Sequence, residues 1–189
     1  MSEPPSDPPE PEEPQPVVEL GPPISDVPWS DQFAQQSLEI LILALDEGRR
    51  AIWFKPVHAA SLQVGVPATK RPGDVVIDTL GWYDLEPRVV HSTSWRHDGG
   101  RLVLTYIAVV EPPEELPPDT LEPTGVARSD LARGEATAPP TDIDVSQVIE
   151  HALRHLSWLL RDDPAIADAI PEWTELLERY QPEPFRTLG

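Results

Sequence analysis

The chain has 189 residues, of which 33 are acidic and 14 are basic, and its net charge is −19. Because nucleic acids and anionic membranes are bound through Lys and Arg, this balance argues against general binding to either class of surface. The chain contains no Cys, which excludes disulfides, thiolate nucleophiles and Cys-based metal sites. A basic protein partner is compatible with this composition.

Proline is concentrated in two parts of the chain, which contains 25 prolines in all. Residues 1–28 carry ten of them together with acidic residues, so we expect a disordered tail there. Residues 29–189 are predicted to form a single α+β domain that carries a long proline- and acid-rich loop at 112–141. The first residues lack the cationic start of a signal peptide, and the longest apolar run is Ile40–Leu45, so we expect a cytoplasmic protein.

The first half of the domain reads as a helix followed by strands. Ser30 or Asp31 can cap a helix that ends near Gly48, with Leu38, Leu41 and Leu45 on one stripe. Residues 51–57 (AIWFKPV) indicate a strand, and residues 58–66 a weaker strand or loop. Residues 73–87 have helical spacing without strict alternation, which favours a short helix at about 75–83 over a strand.

Residues 88–110 (RVVHSTSWRHDGGRLVLTYIAVV) predict a β-hairpin that turns at Asp98–Gly99. Pairing about that turn sets His91 opposite Tyr106 and divides the polar residues between two faces. Neighbouring strand residues point to opposite faces, so His91 cannot easily activate Ser92, and we assign no catalytic residue.

The last part of the chain is predicted to be helical. Asp144 can cap a helix that carries an apolar stripe and ends at Pro164, and residues 171–180 suggest a further amphipathic helix. The predicted fold class is therefore α+β, a single mixed sheet with a central β-hairpin packed by helices.

Two groups of side chains are candidates for binding a ligand. Lys70, Arg71 and Arg96 could bind an anion, the first two beside the amides at the start of the 75–83 helix. His91, Trp95 and Tyr106 could line a pocket around the hairpin. For the first group the simpler explanation is a solvated basic loop, and for the second group it is a packed hairpin.

His151 and His155 have the four-residue spacing of two imidazoles that meet one metal. They lie on the flank of the apolar stripe near Trp158, which favours packing, so they are weak metal candidates and we expect no metal and no cofactor.

Two resemblances can be drawn. The run from VVHSTSWR to IDVSQVIEHALRHLSWLL resembles an actinobacterial protein family of unknown function, which implies no activity. The order of helix, GWYDLEP, hairpin, loop and helix is similar to the second half of Nudix hydrolases, which bind Mg²⁺ through a glutamate-rich helix. The corresponding stretch, VGVPATKRPGDVVIDTLGWYDL, has no Arg-Glu step and no Glu-Glu pair, and only Asp74 and Asp78 are acidic in its helix. The resemblance therefore implies a degenerate Nudix-like fold without the hydrolytic metal site.

Three functions follow as hypotheses. The leading one is a non-catalytic binding or accessory protein whose partner is a protein or a small anionic ligand. The alternatives are a divergent nucleotide or phosphate-ester hydrolase and a structural protein that oligomerises through the helix at 144–162. The sequence does not decide the oligomeric state.

Overall fold

The computed structural model describes residues 36–67, 69–98, 101–128 and 143–180. The predicted tail at 1–28 and the second half of the predicted loop lie outside the described residues. The strands are β1 (Gln36–Leu45), β2 (Ala51–Pro56), β3 (Leu62–Gly65), β4 (Pro87–Asp98), β5 (Arg101–Val110) and β6 (Leu121–Gly125). The helices are α1 (Pro72–Gly81), α2 (Val145–Asp162), α3 (Pro164–Ala169) and α4 (Thr174–Leu177), with 3₁₀ turns at Pro171–Trp173 and Glu178–Tyr180.

The six strands form one mixed sheet. Five of them follow the order β4-β5-β1-β2-β6, and the sixth, β3, pairs with β1. Strand β5 runs parallel to β1, and every other pair is antiparallel. Strand β3 pairs with the first half of β1 and β2 with its second half. The predicted α+β class with a single mixed sheet is confirmed, although the β4–β5 hairpin forms one edge of the sheet and β1 takes the centre.

The predicted helix at 31–47 is wrong, because residues 36–45 form strand β1. Leu41 and Leu43 are buried on one face of the sheet, whereas Ile40 and Ile42 are buried on the other. A central strand that is covered on both faces has no polar side, so its sequence is continuously apolar. Such a run contains helical spacings by default, and these produced the helix prediction.

Helices cover the sheet on both faces. On one face, which we call the α1 side, Val76 and Leu80 of α1 pack over Ile40 and Ile42. On the other face, which we call the α2 side, Leu153 and Leu156 of α2 are buried together with Trp173. Within the described ranges no helix is both long and apolar enough to cross a membrane.

The start of α2 agrees with its sequence signal. The Asp144 carboxylate accepts a hydrogen bond from the Ser146 amide at 2.8 Å, and the Gln147 side chain accepts one from the Asp144 amide at 3.1 Å. This reciprocal capping satisfies amides that the helix itself leaves without partners. The predicted helix at 171–180 is instead α4 flanked by the two 3₁₀ turns.

Of the remaining elements, α1, β2 and β3 agree with the sequence predictions, whereas β6 was not predicted. Helix α1 confirms the short helix, β2 confirms the strand at 51–57, and β3 lies inside the weaker segment. Strand β6 lies inside the predicted proline- and acid-rich loop, where Pro123 occupies an edge position that needs no second ladder partner.

Candidate functional site

The pairing of β4 with β5 decides which of the predicted site residues can meet. Asp98 pairs with Arg101, so it belongs to the ladder between β4 and β5 and is not the turn residue that was predicted, and Gly99 lies outside the described residues. The register shifts again between Ser92 and Ser94. As a result the cross-strand neighbours differ from those predicted along most of the hairpin.

The corrected register separates His91 from Trp95 and Tyr106. His91 lies opposite Ile107, which is buried on the α2 side, whereas Tyr106 packs against the core of the α1 side. Trp95 lies opposite Leu104 and therefore also belongs to the α1 side, where 69% of its surface is exposed. Burial raises the pKa of the Tyr106 hydroxyl. The predicted pocket residues thus occupy both faces of the edge strand.

On the α2 side, His91 meets a histidine from the C-terminal half of the chain. Its ring stacks on that of His155 with 5.1 Å between the ring centroids and 26° between the planes. The His155 ring also meets the edge of Trp158 at 5.5 Å. Trp158 is 46% exposed, and His151, one helical turn before His155, is exposed as well. We call His91, His151, His155 and Trp158 the imidazole–indole surface.

His155 is partly buried within this surface. Its Nε2 atom is buried and has no hydrogen-bond partner within the described part of the chain. Burial, and to a smaller extent the charges of His91 and His151, lower the pKa of His155 below its usual range. The ring is therefore neutral at neutral pH, which permits it to stack between His91 and Trp158.

A second polar cluster on the α2 side surrounds Glu39, whose side chain is only 4% exposed. Arg96 binds both of its carboxylate oxygens, with Nη1–Oε2 at 2.5 Å and Nη2–Oε1 at 3.0 Å. The hydroxyls of Ser61 and Thr105 donate to the same carboxylate at 2.9 Å and 3.3 Å. A buried carboxylate needs this full set of donors, so Arg96 is committed to Glu39 and is not available for an incoming phosphate.

The other anion-binding candidates lie at the start of α1. Lys70 Nζ is 2.6 Å from a carboxylate oxygen of Asp78, which raises the pKa of Lys70, and both side chains are about half exposed. Arg71 is exposed at the position just before α1. Because α1 covers one face of the sheet and Arg96 points to the other, Lys70, Arg71 and Arg96 do not converge on one ligand.

The residues present do not fit a Nudix-type magnesium centre. Asp78, one of only two carboxylates on α1, is bound by Lys70. The described residues contain no group of three or more His, Asp or Glu side chains placed to share a metal ion. His151 and His155 also differ in setting, since His151 is exposed and His155 stacks on His91. Of the two, only His155 has a ring contact with Trp158 among the described residues.

Sequence reasoning selected His91, His155 and Arg96 but missed the partners of Arg96. Glu39 and Thr105 were hidden because the β1 segment was predicted as a helix and the hairpin register was displaced. One signal was present: Glu39 is the single charged residue within SLEILILAL. A lone carboxylate inside a buried strand requires a cation nearby.

Comparisons with known proteins give a distant likeness to solved structures. No protein-family model matches the chain, and no curated protein matches it. Among solved structures it is similar to a MutT/nudix family protein from Enterococcus faecalis, with 12% sequence identity and a TM-score of 0.46. The match covers 82% of this chain and 76% of that one. A likeness at this level does not establish a function for this chain.

Proposed function

We propose that this domain is a non-catalytic binding or accessory module that docks a protein partner through the imidazole–indole surface. One observation carries the proposal: a half-exposed Trp158 is held edge-on by His155, which is itself stacked on His91 of the edge strand. A rigid, partly exposed tryptophan offers a large contact area at a small cost in conformational entropy, and such residues dominate binding energies at protein interfaces.

The neighbouring strand adds a second means of binding. Strand β4 is the outermost strand of the sheet, and no other strand in the described residues pairs with its outer edge. Unpaired backbone groups of an edge strand can accept an extended segment of another protein. The net charge of −19 favours encounter with a basic partner.

The experiment is co-purification of partners from the source cell with the full chain and two single variants. Trp158→Ala removes the exposed ring of the surface, and Trp82→Ala removes an equally large ring that is 80% exposed just after α1. We expect the partner to be lost with Trp158→Ala and retained with Trp82→Ala. Equal retention in both variants would refute the proposed surface.

The two alternatives predict other results. A divergent hydrolase would turn over nucleotides or phosphate esters, and a structural protein joined through the 144–162 helix would change mass with concentration. The apolar stripe of α2 is buried in this domain, so a second copy would have to use the exposed face that carries His151 and Trp158. Turnover assays and mass measurements on the wild-type chain distinguish these outcomes from partner binding.

A further inference from the structure

A groove of about 320 Å³ lies at the end of the sheet where β1 and β5 begin. Its lining includes Gln36, Ser37, Gln63, Gly65 and Arg101. Arg101 is six residues before Ile107, the partner of His91, so the groove lies roughly 20 Å along the sheet from the imidazole–indole surface. It is therefore a separate place in the fold, and its volume is at the lower end of the range for small-molecule sites.

Arg101 supplies the positive charge of the groove. Its side chain is exposed, and among the side chains that the structure describes, which do not include that of its cross-strand neighbour Asp98, no carboxylate lies within ion-pairing distance of it. By contrast, Arg50, Arg88 and Arg96 are each bound to carboxylates. In a chain with more than twice as many acids as bases, an arginine that faces a groove and has no acidic partner among the described side chains is suited to an anionic ligand.

The remaining lining provides polar groups and space. Ser37 offers a hydroxyl, and the side-chain amide of Gln63 donates to Ser61 at 3.3 Å while its carbonyl oxygen faces no partner among the described residues. Gly65 pairs with Ser37 across β3 and β1, and a Cβ atom added at Gly65 would meet nothing within 4 Å. The groove is thus open beside the hydroxyl and can be filled by enlarging residue 65.

We infer that this groove binds a small polar oxyanion, a phosphate monoester or a carboxylate that carries hydroxyl groups. The planar guanidinium of Arg101 would take the anionic oxygens, because its paired N–H groups match their geometry. Ser37 and Gln63 would hydrogen-bond the hydroxyl groups of the ligand. The inference is independent of the proposed protein-binding surface.

The test is a titration of the full chain with glycerol 3-phosphate, glycerate and glycerol, followed by the NMR amide signals of Gly65 and Val66. We expect saturable shifts with at least one of the two anions and none with glycerol. The anion that binds more tightly shows whether the groove prefers a phosphate monoester or a carboxylate. Arg101→Gln should weaken binding about tenfold or more, as expected for the loss of a hydrogen bond to a charged group. Arg161→Gln, which removes another exposed arginine in the last turn of α2, should leave the affinity unchanged.

A variant that fills the groove distinguishes binding within the groove from a nonspecific attraction of anions to Arg101. Gly65→Leu keeps Arg101 but fills the space, and because its Cβ meets no neighbour the strand should fold. We expect this variant to lose anion binding with an otherwise unchanged spectrum. Absence of a shift with both anions, an equal shift with glycerol, or equal weakening by Arg101→Gln and Arg161→Gln would each overturn the inference.

Discussion

At the residue scale, the ion pair between Glu39 and Arg96 joins the centre of the sheet to its edge strand. Glu39 lies on β1 and Arg96 on β4, with β5 between them. The local sequence does not identify the partner of either charge, because the two residues are 57 positions apart. The pair shows how a central strand that is otherwise apolar can accommodate a carboxylate.

Removing either partner of this pair should destabilise the fold. We expect Glu39→Ala or Arg96→Ala to lower the free energy of unfolding by about 3 kcal/mol, because each leaves the other charge partly buried without its partner. The double variant should lose clearly less than the sum of the two single losses. Denaturant titrations of the four proteins measure this coupling.

The exposed Lys70–Asp78 pair provides the matched control. Both side chains are about half in solvent, so their double-variant cycle should show a much smaller coupling that salt abolishes. Additive losses at Glu39 and Arg96, as in this control, would mean that the buried pair does not form.

The second prediction at this scale concerns the protonation of His155. Because the folded chain lowers the pKa of His155, it binds that proton less tightly than the unfolded chain does. The contribution of neutral His155 to the free energy of unfolding should therefore be fully present above the usual histidine pKa of about 6.5. It should be lost as the pH drops through that value. In His155→Phe, which keeps an aromatic ring, the loss of melting midpoint between about pH 7.5 and about pH 5.5 should be smaller.

His58→Gln is the control for this pH effect. His58 is exposed in the connection between β2 and β3, so its replacement should leave the full dependence on pH. If His155→Phe and the wild type lose stability in parallel over this range, His155 does not bind its proton differently in the folded chain.

At the scale of elements, helix α2 was predictable and strand β1 was not. Helix α2 carries its own signals, a capping residue at Asp144 and an apolar stripe on one side. Strand β1 obtains its conformation from its neighbours, because its two apolar faces exist only after α1 and α2 pack on either side. The hairpin was predictable, but its register depended on the exact turn residues and on the irregularity between Ser92 and Ser94.

The same contrast limited prediction of the site. His91 and Arg96 lie in a recognisable hairpin, and both were selected as candidates. Their partners His155 and Glu39 come from elements that are distant in sequence. Only the order of the strands and the packing of α2 on β4 bring them together.

The central position of β1 predicts its protection from hydrogen exchange. The amides of Ile42 and Leu43 should exchange most slowly in the chain, because both residues pair with a strand on each side and both faces of β1 are buried there. The amides of the edge strand β6 should exchange much faster. Hydrogen exchange followed by mass spectrometry or NMR checks this order, and faster exchange in β1 than in β6 would contradict the sheet order.

At the scale of the whole molecule, the two proposed binding sites lie at different places on the sheet. The imidazole–indole surface lies where α2 meets the edge strand, whereas the groove of Arg101 lies at the opposite end of β5. The chain carries a net charge of −19, so a protein partner should be basic and a small anion should depend on Arg101. The two sites can therefore be altered independently.

Site-specific photo-cross-linking tests the central claim most directly. A photoreactive phenylalanine analogue is placed at position 158 of the full chain, or at position 82 as the exposed control, and irradiated in the source cell. The proposed binding role predicts a discrete protein adduct from position 158 that is absent from position 82 and is reduced when His91→Ala is added. Adducts of the same kind from both positions, or none from position 158, would contradict it.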